Sequence, residues 1–192
     1  MQYHDISLGL KLFLCAMLKR LIMLSLLSGF AYSNAQNSGN AELQTKQVGE
    51  ITIAFPKSYE FTENMPGGAK FGLLSPLTSE KDTFRDNVNL LIQEIGQDID
   101  IAEGLEPMKQ QMSKYITNYV GIDAKVMDIP AGKAIRMEYL GNMGVMKIHW
   151  VQYMVSKNKK LYILSCTSEQ HTYNQYEKDF ANIAKSLTLG TI

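Results

Sequence analysis

Cysteine is nearly absent from this chain: of 192 residues only Cys15 and Cys166 carry a thiol. Should Cys15 be lost with an export signal, no intramolecular disulfide can form, and stability must come from a packed core. Histidine is equally scarce, with three in all, a poor inventory for a metal centre. Neither sign of charge is in excess, since 19 basic residues stand against 19 acidic ones. The lysines are scattered, apart from Lys157, Lys159 and Lys160 in one short turn, so neither nucleic acid nor an anionic membrane is implied as a partner. No apolar run reaches the roughly 20 residues of a bilayer-spanning helix. A phosphate-binding loop is missing too, because Gly67-Gly68 is not followed by the required lysine and helix.

What is present begins with an export signature. Leu18 to Phe30 is almost entirely apolar, with Lys19 and Arg20 at its start and small or polar residues from Ala31 to Ala35. That length suits a signal-peptide core, and Ser33 and Ala35 offer the small side chains that a signal peptidase accepts. Cleavage is expected between Ala35 and Gln36, with an uncleaved N-terminal anchor as the alternative. Lipidation at Cys15 fits poorly, because Leu14 is bulky and the apolar segment lies mostly downstream. Met17 puts the basic pair directly before the apolar core. The chain therefore divides into residues 1–16 (an upstream extension or misassigned start), 17–35 (signal peptide), 36–47 (a flexible linker of Asn, Ser, Gly and Gln) and one folded domain at 48–190. Loss of residues 1–35 removes Lys11, Lys19, Arg20 and Asp5, leaving a net charge of about −2.

Within the domain, hydrophobic periodicity assigns the elements. Glu50 to Phe55 alternates and stops at Pro56, as a first strand does. Tyr59 to Thr62 and Lys70 to Leu74 form a loose hairpin around Met65-Pro66-Gly67-Gly68. Asn87 to Ile95 has apolar residues on both faces, which predicts an interior strand. Leu105, Met108, Met112, Tyr115, Ile116 and Tyr119 recur at helical spacing, predicting a helix over Asp100 to Val120 with Gly121 as its left-handed cap. Four strands follow: Ala124–Ile129, Lys133–Leu140, Val145–Ser156 and Lys160–Ser165 continuing through Cys166. Reversals at Gly141-Asn142 and Asn158-Lys159 make the last three an antiparallel meander. A final stripe of Tyr173, Tyr176, Phe180, Ile183, Ala184 and Leu187 predicts a helix lying across the sheet. The fold class is α+β, a single domain of antiparallel sheet flanked by helices.

Four groups of residues raise a question of chemistry. Cys166 and His171 suggest a nucleophile and its base, but Cys166 follows Leu161-Tyr162-Ile163-Leu164 and is expected to be buried as a small hydrophobe. Thr167 or Ser168 is expected to cap the helix that follows, and His171 to face outward. Asp98, Asp100 and Glu103 alternate like the start of a calcium loop, yet the sixth and twelfth positions hold Glu103 and Lys109 instead of glycine and glutamate. Asp100 is the expected helix cap, with Glu103 completing a capping box. His149 has no second histidine near it. Trp150, Tyr153 and the helix tyrosines could line a groove for a small apolar ligand, or serve as ordinary core and rim aromatics. No catalytic, cofactor or metal residue is assigned, and an enzyme is not expected.

The segments "IAFPKSYEF", "NVNLLIQEIG" before a long helix, and "KLYILSCTS" leading into a helix that closes with "FANIAKSL" resemble the PsbP-like and DcrB-like domains of exported proteins, over Val48 to Leu189. The resemblance implies an α/β/α sandwich and a role in docking to a larger, often membrane-embedded, assembly; it transfers no binding residue. The expected function is that of an exported, non-enzymatic accessory protein of the periplasm or secreted space. It would act through an unidentified envelope protein; the alternative is a binding module for a small apolar or envelope-derived ligand.

Overall fold

The structure, a computed structural model, describes residues 42–190 apart from 64, 78–81 and 83. The expected signal peptide and residues 1–16 lie outside the described residues. Ten strands run in the order β1 (Leu43–Val48), β2 (Ile51–Pro56), β3 (Glu60–Glu63), β4 (Phe71–Leu74), β5 (Asn87–Glu94), β6 (Thr117–Ile129), β7 (Gly132–Met143), β8 (Met146–Lys157), β9 (Lys160–Glu169) and β10 (Thr188–Leu189). Among the described residues two α-helices, α1 (Leu105–Tyr115) and α2 (Tyr173–Ser186), interrupt them, with single 3-10 turns at Pro66–Gly68 and Ile101–Gly104. Seven strands form one antiparallel sheet in the order β3-β4-β5-β9-β8-β7-β6, and β1-β2-β10 form a second, smaller one.

The meander from β6 to β9 follows from its turns. Asn158 and Lys159 both take positive φ, 55° and 59°, the two-residue turn whose twist matches paired strands. The turn between β7 and β8 is at Met143 to Met146 and uses Gly144 at φ 61°, not Gly141-Asn142 as the sequence suggests. Gly141 lies inside β7, where a side chain would meet Ile116 Cγ2 at 2.2 Å and Trp150 Cζ3 at 3.2 Å. That glycine serves close packing between the end of α1 and the sheet.

Alternation along β5, β7, β8 and β9 sends side chains into two separate cores. On one face Val88, Leu90, Tyr162, Leu164 and Cys166 pack with β2 and with Tyr173, Tyr176, Phe180, Ile183 and Ala184 of α2. On the other, Ile135, Met137, Trp150, Met154 and Ile163 pack with Met108 and Met112 of α1. Each large side chain fully removed from water contributes about 1.5–3 kcal/mol, so α2 is held chiefly by its buried stripe.

Three expectations need correction. The linker over 36–47 is shorter than read: Leu43–Val48 is paired along its whole length with β2, Leu43 opposite Pro56 and Val48 opposite Ile51. The long helix ends at Tyr115 rather than Val120, because residues from Thr117 onward are drawn into the ladder with β7. Gly121 consequently sits in a strand, beside a bulge that inserts one extra residue before Asp123. Finally, neither Thr167 nor Ser168 caps α2. Both belong to β9, and the residue preceding α2 is Thr172, whose side chain makes no capping bond.

Candidate functional site

The residues singled out in the sequence do not converge. Cys166 is fully buried between the sheet and α2, and that burial pushes its thiol well above the ordinary value, the opposite of an activated nucleophile. His171 is exposed in the turn before α2. Trp150 and Tyr153 belong to different cores on opposite faces of the sheet, so they serve as core aromatics and line no common groove. Asp100 accepts a bond from the Ala102 amide at 3.0 Å and Asp98 from the Lys159 amide at 2.6 Å. Asp100 thereby caps the single helical turn Ile101–Gly104 that leads into α1, as expected of it, although Glu103 joins through its backbone amide to Asp100 O rather than through a capping box; Asp98 ties its loop to the β8–β9 turn. Among the described residues no three His, Cys, Asp or Glu side chains are grouped to hold a metal ion.

His149 is different, because the fold gives it partners the sequence did not suggest. On the α2 face, polar side chains of β6, β7 and β8 make a continuous chain. The Lys125 ammonium reaches Asp123 Oδ2 at 2.8 Å. Arg136 donates from Nη1 to the same oxygen at 2.9 Å and from Nη2 to Glu138 Oε2 at 2.6 Å. Glu138 Oε1 lies 2.8 Å from His149 Nε2, and the His149 ring stacks on Tyr173 at the start of α2, centroids 3.5 Å apart. Side-chain exposure falls along the chain from 55% at Lys125 to 10% at His149.

Its electrostatics follow from that gradient. Burial alone would raise the Glu138 carboxyl, but the bonds from Arg136 and His149 hold it below its usual value. Burial lowers His149 and outweighs the opposing pull of Glu138, so at neutral pH the ring is uncharged and donates its Nε2 proton to Glu138. Asp123 is also lowered, first by its bond with Lys125. Two cations and two carboxylates balance, leaving a polar surface of no net charge where the α2 layer ends.

The charged chain begins on β6, the outermost strand of the larger sheet. Val120 and Ile122 on it are about half exposed, at 55% and 50%, and Val126 is exposed as well. The sequence offered one signal for the charged chain: Arg136 and Glu138 interrupt β7 on the face where Ala134 is buried. Its members come from three strands, so no spacing rule could gather them. At the opposite corner, a concavity of about 470 Å³ opens where the β1–β2 turn meets β10, lined by Gln47, Glu50, Thr52 and Thr188 among others. There Glu50 accepts bonds from Lys160 at 3.0 Å and Tyr162 at 3.1 Å. No described helix is long and apolar enough to cross a membrane.

A sheet covered on each face by a helix, with a meander at its centre, is the PsbP-like architecture that the sequence resemblance implied. Comparison with solved structures shows that fold directly. The cyanobacterial PsbP protein CyanoP of Synechocystis sp. PCC 6803 is 16% identical, with a TM-score of 0.53, over 82% of this chain and 98% of its own. LpqN of Mycobacterium tuberculosis, involved in cell envelope biogenesis, is 14% identical with a TM-score of 0.61, over 78% and 92%. The Ran-binding protein Mog1p of Saccharomyces cerevisiae is 8% identical with a TM-score of 0.52, over 77% and 96%. No protein-family model and no curated protein sequence matches the chain.

Proposed function

We propose that this protein is an exported accessory protein of the cell envelope, without enzymatic activity, that acts by docking to a protein assembly. The observation that carries this reading is the corner formed by β6 and β7. There exposed Val120 and Ile122 border the balanced chain from Lys125 to His149. Apolar contacts rimmed by paired charges suit a protein partner, since charge complementarity gives register while apolar area gives affinity. The Leu18–Phe30 segment supports export, and the involvement of LpqN in cell envelope biogenesis supports the compartment. That Mog1p binds Ran shows a protein of this architecture engaging another protein; the analogy concerns the fold and supplies no partner.

The test is affinity capture from envelope extracts with the wild-type protein and with Val120→Glu. A companion recovered by the wild type and lost with Val120→Glu, at unchanged thermal stability, supports the reading. Repeated recovery of the wild type alone, or a companion indifferent to the substitution, sinks it.

A further inference from the structure

We propose that the outer edge of β6 pairs with the same edge of a second copy of this chain, in an antiparallel register centred on Ala124. β6 is the last strand of its sheet and pairs only with β7 among the described strands, in unbroken register from Asp123 to Ile129. An outer row of backbone donors and acceptors is a template for another strand. What singles out a second copy is the charge order.

Toward β7, the charges of β6 are matched badly. Asp123 stands directly opposite Glu138, and Lys125 directly opposite Arg136. Like charges in opposed positions disfavour pairing, and the Arg136 to Asp123 bond relieves them only along the diagonal. Toward an antiparallel copy of itself, the same strand is matched well. With Ala124 at the two-fold axis, Asp123 faces Lys125 of the other copy and Lys125 faces Asp123, each contact occurring twice as the symmetry requires. Ile122, the bulged residue, comes beside Val126 of the other copy, and both are exposed in the single chain. Alanine, the smallest side chain of this stretch, lies on the axis, where it meets itself. The pairing joins two seven-stranded sheets into one and extends the charged chain of each copy into that of its mate.

The experiment uses the full chain carrying Cys15→Ser, so that an introduced thiol is the only one besides buried Cys166. Under mild oxidation Ala124→Cys is expected to link to itself, since residues opposed across a strand pair lie within disulfide reach. Asp128→Cys, whose two copies would be far apart, is expected to remain monomeric. In parallel, sedimentation in mild detergent follows two charge variants. Lys125→Asp places carboxylates opposite each other at both contacts and should weaken the dimer by at least about tenfold. Adding Asp123→Lys restores opposite charges across the axis, and also toward Glu138 and Arg136, and should restore the dimer.

A monomeric wild type, a dimer indifferent to Lys125→Asp, or equal cross-linking at both cysteine positions overturns the proposal. So does cross-linking of Ala124→Cys to a different protein, or protection of β6 by the chain's own N-terminal segment. A monomer that still captures an envelope protein leaves the docking reading intact. A dimer that captures nothing does the reverse.

Discussion

Under α2, the sheet meets stiff rings: Phe61 stacks between Phe55 and Phe71 with centroids 5.9 and 5.7 Å apart, and Tyr176 stacks on Phe180 at 6.1 Å. Under α1, a stack of Tyr139 on Trp150, centroids 5.4 Å apart, is surrounded by methionines: Met108 and Met112 from the helix close on Met137 and Met154 of the sheet, with Met143 and Met146 at the margin. The two faces differ as much in their buried polar groups. The α2 side holds titratable ones, Asp86 and His149, whereas the α1 side holds neutral ones, such as Gln152 bonded to Ser165 at 2.9 Å. One face is rigid and sensitive to protons. The other is adaptable where its methionines meet the helix, because unbranched thioether side chains refill gaps that rings cannot, and its buried polar side chains are uncharged ones.

The largest expected effect is on the ring side. Phe180→Ala should lower the free energy of unfolding by about 3–5 kcal/mol, read from urea denaturation. Met112→Ala removes a fully buried side chain from the other face, but its flexible neighbours can close in, so about 2–3 kcal/mol is expected and Met112→Leu should cost under about 1.5. A loss at Met112 equal to that at Phe180 would erase the contrast. Gly141→Ala tests where the methionine side stops yielding. Its new methyl would lie 2.2 Å from Ile116 Cγ2 and 3.1 Å from the carbonyl oxygen of Thr117, and only the first of these can move aside. About 1–3 kcal/mol of destabilisation is expected in thermal melts.

The smallest effect concerns protons. Asp86 is buried where Thr172 Oγ1 donates to it at 3.0 Å, and burial, opposed by hydrogen bonds from Ser168 and Thr172, raises it to about 6. A carboxyl raised on folding favours the folded state below its unfolded value, near 4, and loses that contribution as pH climbs through about 6. Asp86→Asn should therefore stabilise the protein at pH 7.5, on the order of 1–2 kcal/mol, with the gain vanishing at pH 4. Stability curves at the two pH values check it; a gain of equal size at both would assign the effect to packing instead.

Where residues pack against a core, periodicity revealed them. The stripes of α1 and α2, the two-faced β5 and the β7–β8–β9 meander were all legible, because burial imposes a pattern that composition alone can display. The errors share a cause of a different kind. Leu43–Val48 is mostly exposed, so nothing in its side chains marks it as a strand; the backbone bonds to β2 do. Tyr119 continues the helical stripe in sequence, and it does reach the same core, stacking near Tyr139 with centroids 5.5 Å apart. It does so from β6, which approaches that core along a different path. Glycine misled twice, at Gly121 and Gly141, since a residue that permits a turn also permits close contact. The charged chain escaped because it exists only once three strands lie side by side.

The order of the larger sheet also has a consequence in time. β5 lies against β9, with Asn87 opposite Thr167, and β2 receives β10 from the last described residues. Neither sheet can be completed until the C-terminal part of the chain is free to join it, and pairings so distant in sequence form slowly. A chain of this design keeps both sheets open until the segments of β9 and β10 arrive to close them.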